Sequence, residues 1–201
     1  MPRFTIAALL ACWVLAQPLY AEEARAIMQR VLDRDNGASE VSRTKLATCR
    51  YVKKSQRLVC AEDPRVKVFE SVRKDFPVAG GKDSKSVMLI REPAGEQGIG
   101  FLQYDYEAQG RDSDQWMYLA ALGKVKRIVS GSDDEPQTGS FFGSEIGYED
   151  MEARHLDDYT YKLLKTDTYR KRPCWVIAAK PTPEHARKSN YSRSIQWIDQ
   201  E

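Results

Sequence analysis

Strand-like runs separated by short turns dominate this sequence from residue 43 to residue 199, and they constrain the fold more than any other feature. The runs are rich in branched and aromatic residues and are bounded by turn-forming residues. They lie at residues 43–51, 56–61, 65–74, 86–91, 98–106, 115–119, 125–129, 159–163, 172–180 and 191–199. Because no helical pattern separates them, they predict an antiparallel sheet of eight to ten strands.

Several of these strands are apolar on both faces, which is unlike a sheet with one face in water. Residues 88–90, 115–119 and 175–179 are the clearest cases. The sheet is therefore predicted to curl, with a concave side that is either filled by side chains or lined for a ligand. Aromatic residues on these strands and the loops beside them fit an ordinary core as well as a ligand cavity. They are Trp116, Tyr118, Phe141, Phe142, Tyr148, Tyr159, Tyr161, Trp175 and Trp197.

The N-terminus has the pattern of a secretory signal. Arg3 precedes an apolar run at residues 4–16, and a small residue, Ala21, ends the segment. The run is too short to span a bilayer comfortably. We predict cleavage after Ala21 and an exported, periplasmic protein that forms a single domain over residues 22–201. Lipid attachment at Cys12, which ends a lipobox-like segment, is the less favoured alternative.

Charge does not point to nucleic acid. The chain has 31 Lys and Arg residues and 29 Asp and Glu residues, and removal of Arg3 with the signal lowers the formal charge from +2 to +1. A near-neutral chain with interspersed signs does not predict nucleic-acid binding.

One amphipathic helix is predicted at residues 22–35. Its apolar residues recur at steps of three and four, and Asn36 and Gly37 supply a C-terminal stop. The apolar stripe consists of Ala24, Ile27, Met28, Val31 and Leu32.

The cysteines fit an oxidising compartment. Cys49 and Cys60 flank a predicted hairpin with its tip at residues 53–56, and cross-strand positions in such a hairpin come close enough for a disulfide. That bond would stabilise the domain by about 2–3 kcal/mol. Cys174 is left over, so an alternative pairing stays open.

Patterns for catalysis or metal binding are weak. His155 and His185 lie in polar surroundings, and no nucleophile elbow, phosphate-binding loop or His-Glu-x-x-His pattern occurs. The acidic residues at 133–135 and 149–150 lack the ligand spacing of a calcium loop. We therefore expect no enzyme activity, no cofactor and no metal.

The stretch from residue 114 to residue 151 is the most informative. Two short strands surround a turn at residues 123–124, and an acidic loop then leads to Phe141 and Phe142. A short helical turn is predicted at residues 148–154. Two adjacent phenylalanines after a polar loop must either pack beneath other residues or await an apolar partner.

This stretch resembles the motif region of LolA-like outer-membrane lipoprotein-sorting proteins, in the branch found beside RND-type (MMPL-like) exporters. The matching sequence is DQWMYLAALGKVKRIVSGS followed by GSFFGSEIGYEDM. Matches in the first part are Trp116, Tyr118, Leu119, Ala121, Leu122, Arg127 and Ile128, and in the second part Phe141, Gly143, Ser144, Tyr148, Glu149 and Asp150. The family's proline is Ala120 here, its aspartate is Glu145, and Ile146 replaces an aromatic residue.

The resemblance implies a mainly β (α+β) fold, namely an incomplete antiparallel β-barrel of the LolA/LolB half-barrel type. An N-terminal amphipathic helix and short helical lid segments accompany the barrel. It also implies a monomeric periplasmic carrier of lipid or lipoprotein acyl chains, handing cargo to or from an inner-membrane RND/MMPL-type exporter. The alternative is an adaptor module of such an exporter, with a filled barrel core and the loop of Phe141 and Phe142 as its docking element.

Two sets of residues are predicted for the site. The first lines an apolar cavity or its mouth, and it consists of Leu102, Tyr104, Trp116, Tyr118, Phe141, Phe142, Tyr161 and Trp175. The second holds the motif in place, and it consists of Arg127, Gly143, Ser144, Tyr148, Glu149 and Asp150. For Glu149 and Asp150 a purely structural clasp is an equal alternative. Family members usually continue for several strands beyond the position of Glu201, so we expect either a more open barrel or a truncated product.

Overall fold

The computed structural model describes residues 23–128, 136 and 138–201. The predicted signal sequence with its cleavage after Ala21, the lipid attachment at Cys12 and the acidic residues 133–135 lie outside the described residues. The described chain divides into two compact units. The first contains residues 23–35, 136 and 154–201, and the second contains residues 36–128 and 138–153.

Strands make up most of both units, and each pairs antiparallel with its neighbours. They are β1 (Ser39–Thr48), β2 (Tyr51–Lys54), β3 (Arg57–Cys60), β4 (Arg65–Val78), β5 (Gly81–Glu92), β6 (Gly100–Asp105), β7 (Asp114–Leu119), β8 (Lys124–Ile128), β9 (Tyr159–Tyr169), β10 (Arg172–Pro181) and β11 (Ser194–Asp199).

The second unit contains a six-stranded sheet in the order β1-β4-β5-β6-β7-β8 and the separate hairpin β2-β3. Its outer strands, β1 and β8, do not pair with each other, so the sheet is open. This confirms the predicted mainly β fold with an incomplete antiparallel barrel.

The cross-linked hairpin is smaller than the sequence predicted. The strand expected at residues 43–51 ends at Thr48 and pairs with β4 along its whole length, not with residues 56–61. The hairpin needs only β2 and β3, because Ser55 and Gln56 turn the chain in left-handed conformations with φ of 45° and 69°. The predicted disulfide between Cys49 and Cys60 is confirmed.

The Gly-rich, charged segment at residues 79–85, between the predicted strands 65–74 and 86–91, indicates a loop, and this prediction is wrong. The chain turns at residues 79–80, and pairing between β4 and β5 resumes at once with Val78 opposite Gly81. One of the charged residues that suggested a loop is paired inside the sheet, since Lys82 forms an ion pair of 2.6 Å with the buried Asp75.

In the first unit a helix, α1 at residues 23–32, packs on the three-stranded sheet of order β11-β10-β9. The cluster between them consists of Ala24, Ile27, Met28, Tyr161, Ile177 and Ala179. The helix ends three residues earlier than predicted. Val31 is only half-buried and Leu32 is exposed, so the far end of the predicted stripe adds little burial to hold the helix.

The remaining regular structure is short. A 3₁₀ turn, Glu149–Met151, lies within the predicted helical turn, and another, His185–Arg187, lies between β10 and β11. Among the described helices, none has the length and apolar character needed to cross a membrane.

Candidate functional site

The six-stranded sheet has two faces, because successive side chains along a strand point to opposite sides. The face that carries Phe69, Ile90 and Phe101 is called the packed face. The other, which carries Val87 and Trp116, is called the open face.

Both phenylalanines of the motif lie on the packed face. Phe141 is only 4% exposed, and its ring centroid lies 5.7 Å from that of Phe69 and 5.4 Å from that of Phe101. Phe142 lies 5.2 Å from Phe69, and Tyr148 stacks on Phe101 at 6.1 Å. Residues 138–153 therefore cover this part of the sheet.

Two buried amides attach this covering segment to the strands. The side chain of Gln115 is fully buried, and its Nε2 donates to Gln103 Oε1 at 3.0 Å and to the Tyr148 carbonyl at 3.3 Å. Gln103 Nε2 donates to the Met151 carbonyl at 2.6 Å. A buried carbonyl without a partner would cost about 1–3 kcal/mol, so these amides stabilise the covered arrangement.

The motif residues shape the covering segment. Ser144 Oγ donates to the Phe141 carbonyl at 2.7 Å, and the Asp150 carboxylate accepts the Gly147 N–H at 2.8 Å. Phe142 and Gly143 have φ of 49° and 72°, a left-handed pair for which glycine is the favoured second residue. The turn thereby presents both phenylalanine rings to the sheet.

The open face carries two adjacent rows of apolar side chains, defined by cross-strand register. The first row is Val41, Val72, Val87, Leu102 and Trp116, and the second is Leu89, Gly100, Tyr118 and Val125. Val41 is 80% exposed and Val125 is 66% exposed. Within the described residues of the second unit, no segment covers these rows as residues 138–153 cover the packed face.

A cavity of about 320 Å³ opens between the two rows. Gly100 forms part of its floor. A larger residue at this position would place its Cβ only 3.0 Å from Leu89 Cδ2, which is closer than ordinary van der Waals contact. Every lining residue is apolar or aromatic: Val87, Leu89, Gly100, Leu102, Trp116, Tyr118, Val125 and also Phe101, whose ring belongs to the packed face. Such a lining suits a hydrocarbon group and gives little to a polar ligand.

Fixed charges border the apolar rows on the side of β8. Arg127 stands opposite Trp116 and forms an ion pair with Asp114, whose Oδ2 also accepts the Tyr106 hydroxyl at 2.8 Å. Hydrogen bonds from Arg127 and then Tyr106 hold the pKa of Asp114 below its usual range. Arg127 is therefore neutralised.

The structure brings half of the predicted cavity residues together. Leu102, Tyr104, Trp116 and Tyr118 share the open face, and the rings of Tyr104 and Trp116 are 5.1 Å apart. The others lie elsewhere, Phe141 and Phe142 on the packed face and Tyr161 and Trp175 in the first unit. Sequence reasoning missed Val87, Leu89, Gly100 and Val125, because only the strand register shows that they adjoin Trp116 and Tyr118.

Histidines take part in local contacts. His185 Nε2 lies 2.9 Å from the Tyr159 hydroxyl, and His185 Nδ1 lies 3.7 Å from Asp158. In the part of the chain that the structure describes, no three His, Cys, Asp or Glu side chains form a group able to hold a metal.

Comparisons with solved structures identify the fold. A DUF1329 family protein from Desulfovibrio piger superposes with a TM-score of 0.69 and 24% identity, over 90% of this chain and 69% of that one. A protein from Vibrio parahaemolyticus, described as an outer-membrane lipoprotein-sorting protein domain, superposes with a TM-score of 0.66 and 25% identity, over 90% and 68%. A LolA superfamily protein from Nitrosomonas europaea matches with a TM-score of 0.47 and 19% identity, over 88% and 66%.

Sequence comparison places the chain in a family. No curated protein matches it. A family model with the description "-like: Uncharacterized protein" matches residues 82–201, which include β5 from its second residue, the strands β6 to β11 and the whole motif stretch. The chain belongs to that family, and the predicted resemblance to LolA-like outer-membrane lipoprotein-sorting proteins is confirmed.

Proposed function

We propose that this protein is a periplasmic carrier that binds the acyl chains of lipids or lipoproteins on the open face of its six-stranded sheet. The observation that carries the proposal is the pair of exposed apolar rows with the cavity between them. Soluble proteins seldom expose contiguous apolar patches of this kind unless the patch binds something.

The energetics favour a hydrocarbon ligand. Moving one methylene group from water to an apolar surface is worth about 0.8 kcal/mol, so a few methylene groups suffice for measurable binding. Trp116 and Tyr118 add aromatic surface on one side of the cavity, and Val87 and Leu89 add branched aliphatic surface on the other.

We propose binding without catalysis. The lining offers no carboxylate, imidazole, thiol or amine, and its two side-chain polar groups are the Tyr118 hydroxyl and the Trp116 indole N–H. A general acid, a general base or a nucleophile would have to stand within hydrogen-bond reach of the bound molecule.

The finer parts of the proposal have separate support. The periplasmic location is supported by the signal-like residues 1–21, and an RND/MMPL-type exporter as partner by the motif resemblance. The description of the Vibrio parahaemolyticus domain as a lipoprotein-sorting protein agrees with an acyl-chain cargo. We also propose that the protein acts as a monomer.

Extraction of the protein purified from its periplasm, with mass spectrometry of the extract, tests the proposal most simply. A bound lipid or acylated peptide in stoichiometric amount is the expected result. A titration with a fluorescent fatty acid then locates the site. The variants Val87→Glu and Val125→Glu place a charge on the open face and should weaken binding at least ten-fold, a change of about 1.4 kcal/mol.

Leu58→Glu is the matched control, because Leu58 is an exposed apolar residue in the separate hairpin. It should bind the fatty acid like the unmodified protein. Equal weakening by all three variants, or an absence of binding by the unmodified protein, would contradict the proposal.

The competing function is an adaptor with a filled core. The part of the packed face beneath residues 138–153, which is filled by side chains, favours it, but burial of Phe141 leaves only Phe142 partly accessible for docking. Exchange of both phenylalanines for serine, in a protein checked for folding, separates the two functions. Loss of exporter binding with fatty-acid binding retained would favour the adaptor.

A further inference from the structure

Two lysines face each other beside the first apolar row. Lys74 on β4 and Lys85 on β5 are direct cross-strand partners, and the next pair on the same face is Val72 with Val87. Tyr104 on β6 is the neighbour of Lys85 on its other side. The two lysines are therefore two residues away from the first apolar row on their strands, which corresponds to about 6.6 Å along the backbone.

Like charges directly opposite each other in a sheet are destabilising unless another group compensates them. Among the residues that the structure describes, no carboxylate lies within 4 Å of Lys74 Nζ or Lys85 Nζ. Two acidic residues of the open face have other partners. Asp114 pairs with Arg127, and Asp83 Oδ1 accepts the Glu107 N–H at 3.0 Å and forms no ion pair with either lysine.

Aromatic rings hold the two ammonium groups over the open face without neutralising them. Lys85 Nζ lies 4.5 Å from the centroid of the Tyr104 ring and 5.0 Å from that of Phe76. Lys74 Nζ lies 5.5 Å from the same Phe76 ring. These contacts orient the two ammonium groups, and an aromatic ring has no net negative charge that could offset theirs.

Three arginines on the open face differ from this pair. Arg91 donates to Glu70 at 2.7 Å, Arg43 pairs with Glu92 at 3.1 Å, and Arg127 pairs with Asp114. A lipid has an anionic headgroup at one end and a hydrocarbon chain at the other. The lysine pair suits the headgroup, and the adjacent row of apolar side chains suits the hydrocarbon chain.

We propose that Lys74 and Lys85 bind the phosphate or carboxylate headgroup of a single lipid whose acyl chain lies along Val72, Val87 and Leu102. This inference rests on the proposed function and narrows its ligand to anionic lipids. The headgroup supplies the negative charge that the Lys74–Lys85 pair lacks, and the cavity between the rows receives the chain.

The test compares two surfactants with the same chain, dodecyl phosphate and the uncharged dodecyl maltoside, by calorimetry below their micelle concentrations. The double variant Lys74→Gln/Lys85→Gln should bind dodecyl phosphate about 25-fold more weakly, about five-fold for each lysine. Its binding of dodecyl maltoside should not change. Lys74→Arg/Lys85→Arg should keep the binding of dodecyl phosphate.

Lys124→Gln/Lys126→Gln is the matched control, since both lysines are exposed on β8 and neither belongs to the pair. It should bind both surfactants like the unmodified protein. Equal affinity of the unmodified and glutamine proteins for dodecyl phosphate would overturn the headgroup site and leave the carrier function intact. Failure to bind either surfactant would contradict the carrier function itself.

Two further arms exclude other sources of the anion. Inorganic phosphate alone should bind far more weakly than dodecyl phosphate, and equal affinity would overturn the proposal in favour of a free-anion site. Sedimentation with phosphatidylglycerol vesicles, without capture of dodecyl phosphate from solution, would likewise overturn it in favour of adhesion to a membrane surface.

Discussion

The two faces of the six-stranded sheet come from the same strands, yet they have opposite fates. On β5, Met88 and Ile90 point to the packed face, and Val87 and Leu89 point to the open face. The first pair packs in a cluster with Phe69, Phe101 and Phe141, whereas the second borders a cavity.

What differs is the covering segment. Residues 138–153 return over one face and bring Phe141, Phe142 and Tyr148 with them, held by Gln103 and Gln115. A strand with apolar residues on both faces therefore predicts that both faces of the sheet are buried by something. It does not predict which face is buried by another segment of the same chain. A face left open by its own unit is the one available to a ligand.

Removal of the Phe141 ring should give the largest effect and should break the packed face alone. Phe141→Ala leaves a hole between Phe69 and Phe101 and should lower the free energy of unfolding by about 3–5 kcal/mol. Val125→Ala on the open face should change it by less than about 0.5 kcal/mol. Urea denaturation measures both, and comparable losses would show that the two faces are not different.

Loss of the disulfide should lower the free energy of unfolding without changing either face of the six-stranded sheet. Cys49→Ser/Cys60→Ser removes a bond that closes a loop of sequence separation 11, which corresponds to about 2–3 kcal/mol in the chain-entropy model. The hairpin β2-β3 pairs with neither larger sheet. Fatty-acid affinity measured by fluorescence titration should stay unchanged, and a parallel loss of affinity would place the hairpin in the site.

Truncation of Trp116 should give the reverse pattern, a binding defect with little loss of stability. Trp116→Ala removes aromatic surface from the cavity lining and should weaken fatty-acid binding about ten-fold or more. Phe142→Ala, on the packed face, should lower stability and leave affinity unchanged. Titration and denaturation of both proteins check this, and a binding defect only in Phe142→Ala would reverse the roles of the faces.

The smallest effect should be a pH dependence that arises on the packed face. Burial alone would raise the pKa of Asp75, but hydrogen bonds from Lys82 and Arg73 outweigh it and hold the pKa below its ordinary value of 3.8. A carboxyl group whose pKa is lower in the folded state than in the unfolded state stabilises the fold at pH values above its unfolded pKa. This stabilisation is lost as the pH falls through the pKa of the folded state. Stability should therefore fall as the pH drops below about 4.

Asp75→Asn should lower stability at neutral pH and reduce the slope of stability against pH in the acid range. Asp63→Asn, at an exposed position before β4, is the control and should keep the slope of the unmodified protein. Denaturation midpoints from pH 2.5 to pH 6 measure the slopes. An unchanged slope in Asp75→Asn would remove Asp75 from this explanation.

The sequence predicted the elements well, because alternation and turn residues are local. The strands β6, β7 and β10, the helix with Ile27 and Met28 on its apolar stripe, and the disulfide follow from such patterns. Errors arose where long-range pairing outweighs local preference. β1 pairs with β4 and not with the hairpin, and β5 begins inside a charged segment whose Lys82 is neutralised by Asp75.

The candidate site was only half predictable for the same reason. Trp116, Tyr118 and Leu102 share a face because of strand periodicity, which the sequence displays. That Val87 and Val125 adjoin these residues depends on strand register. The burial of Phe141 depends on a segment that packs back onto the sheet more than 30 residues after β6. Gln103 and Gln115, polar residues on strands that are otherwise largely apolar, were the one available sign of a covered polar contact.

Fluorescence quenching by a brominated fatty acid tests the central claim most directly, because bromine quenches only tryptophans near the bound chain. From residue 22 onwards the chain has Trp116 on the open face and Trp175 and Trp197 in the first unit. Three proteins, each keeping one tryptophan with the other two changed to phenylalanine and each measured at a fatty-acid concentration that saturates it, separate these positions. We expect saturable quenching of Trp116 and no quenching of Trp197. Quenching of Trp175 or Trp197 with Trp116 unaffected would contradict the assignment of acyl-chain binding to the open face.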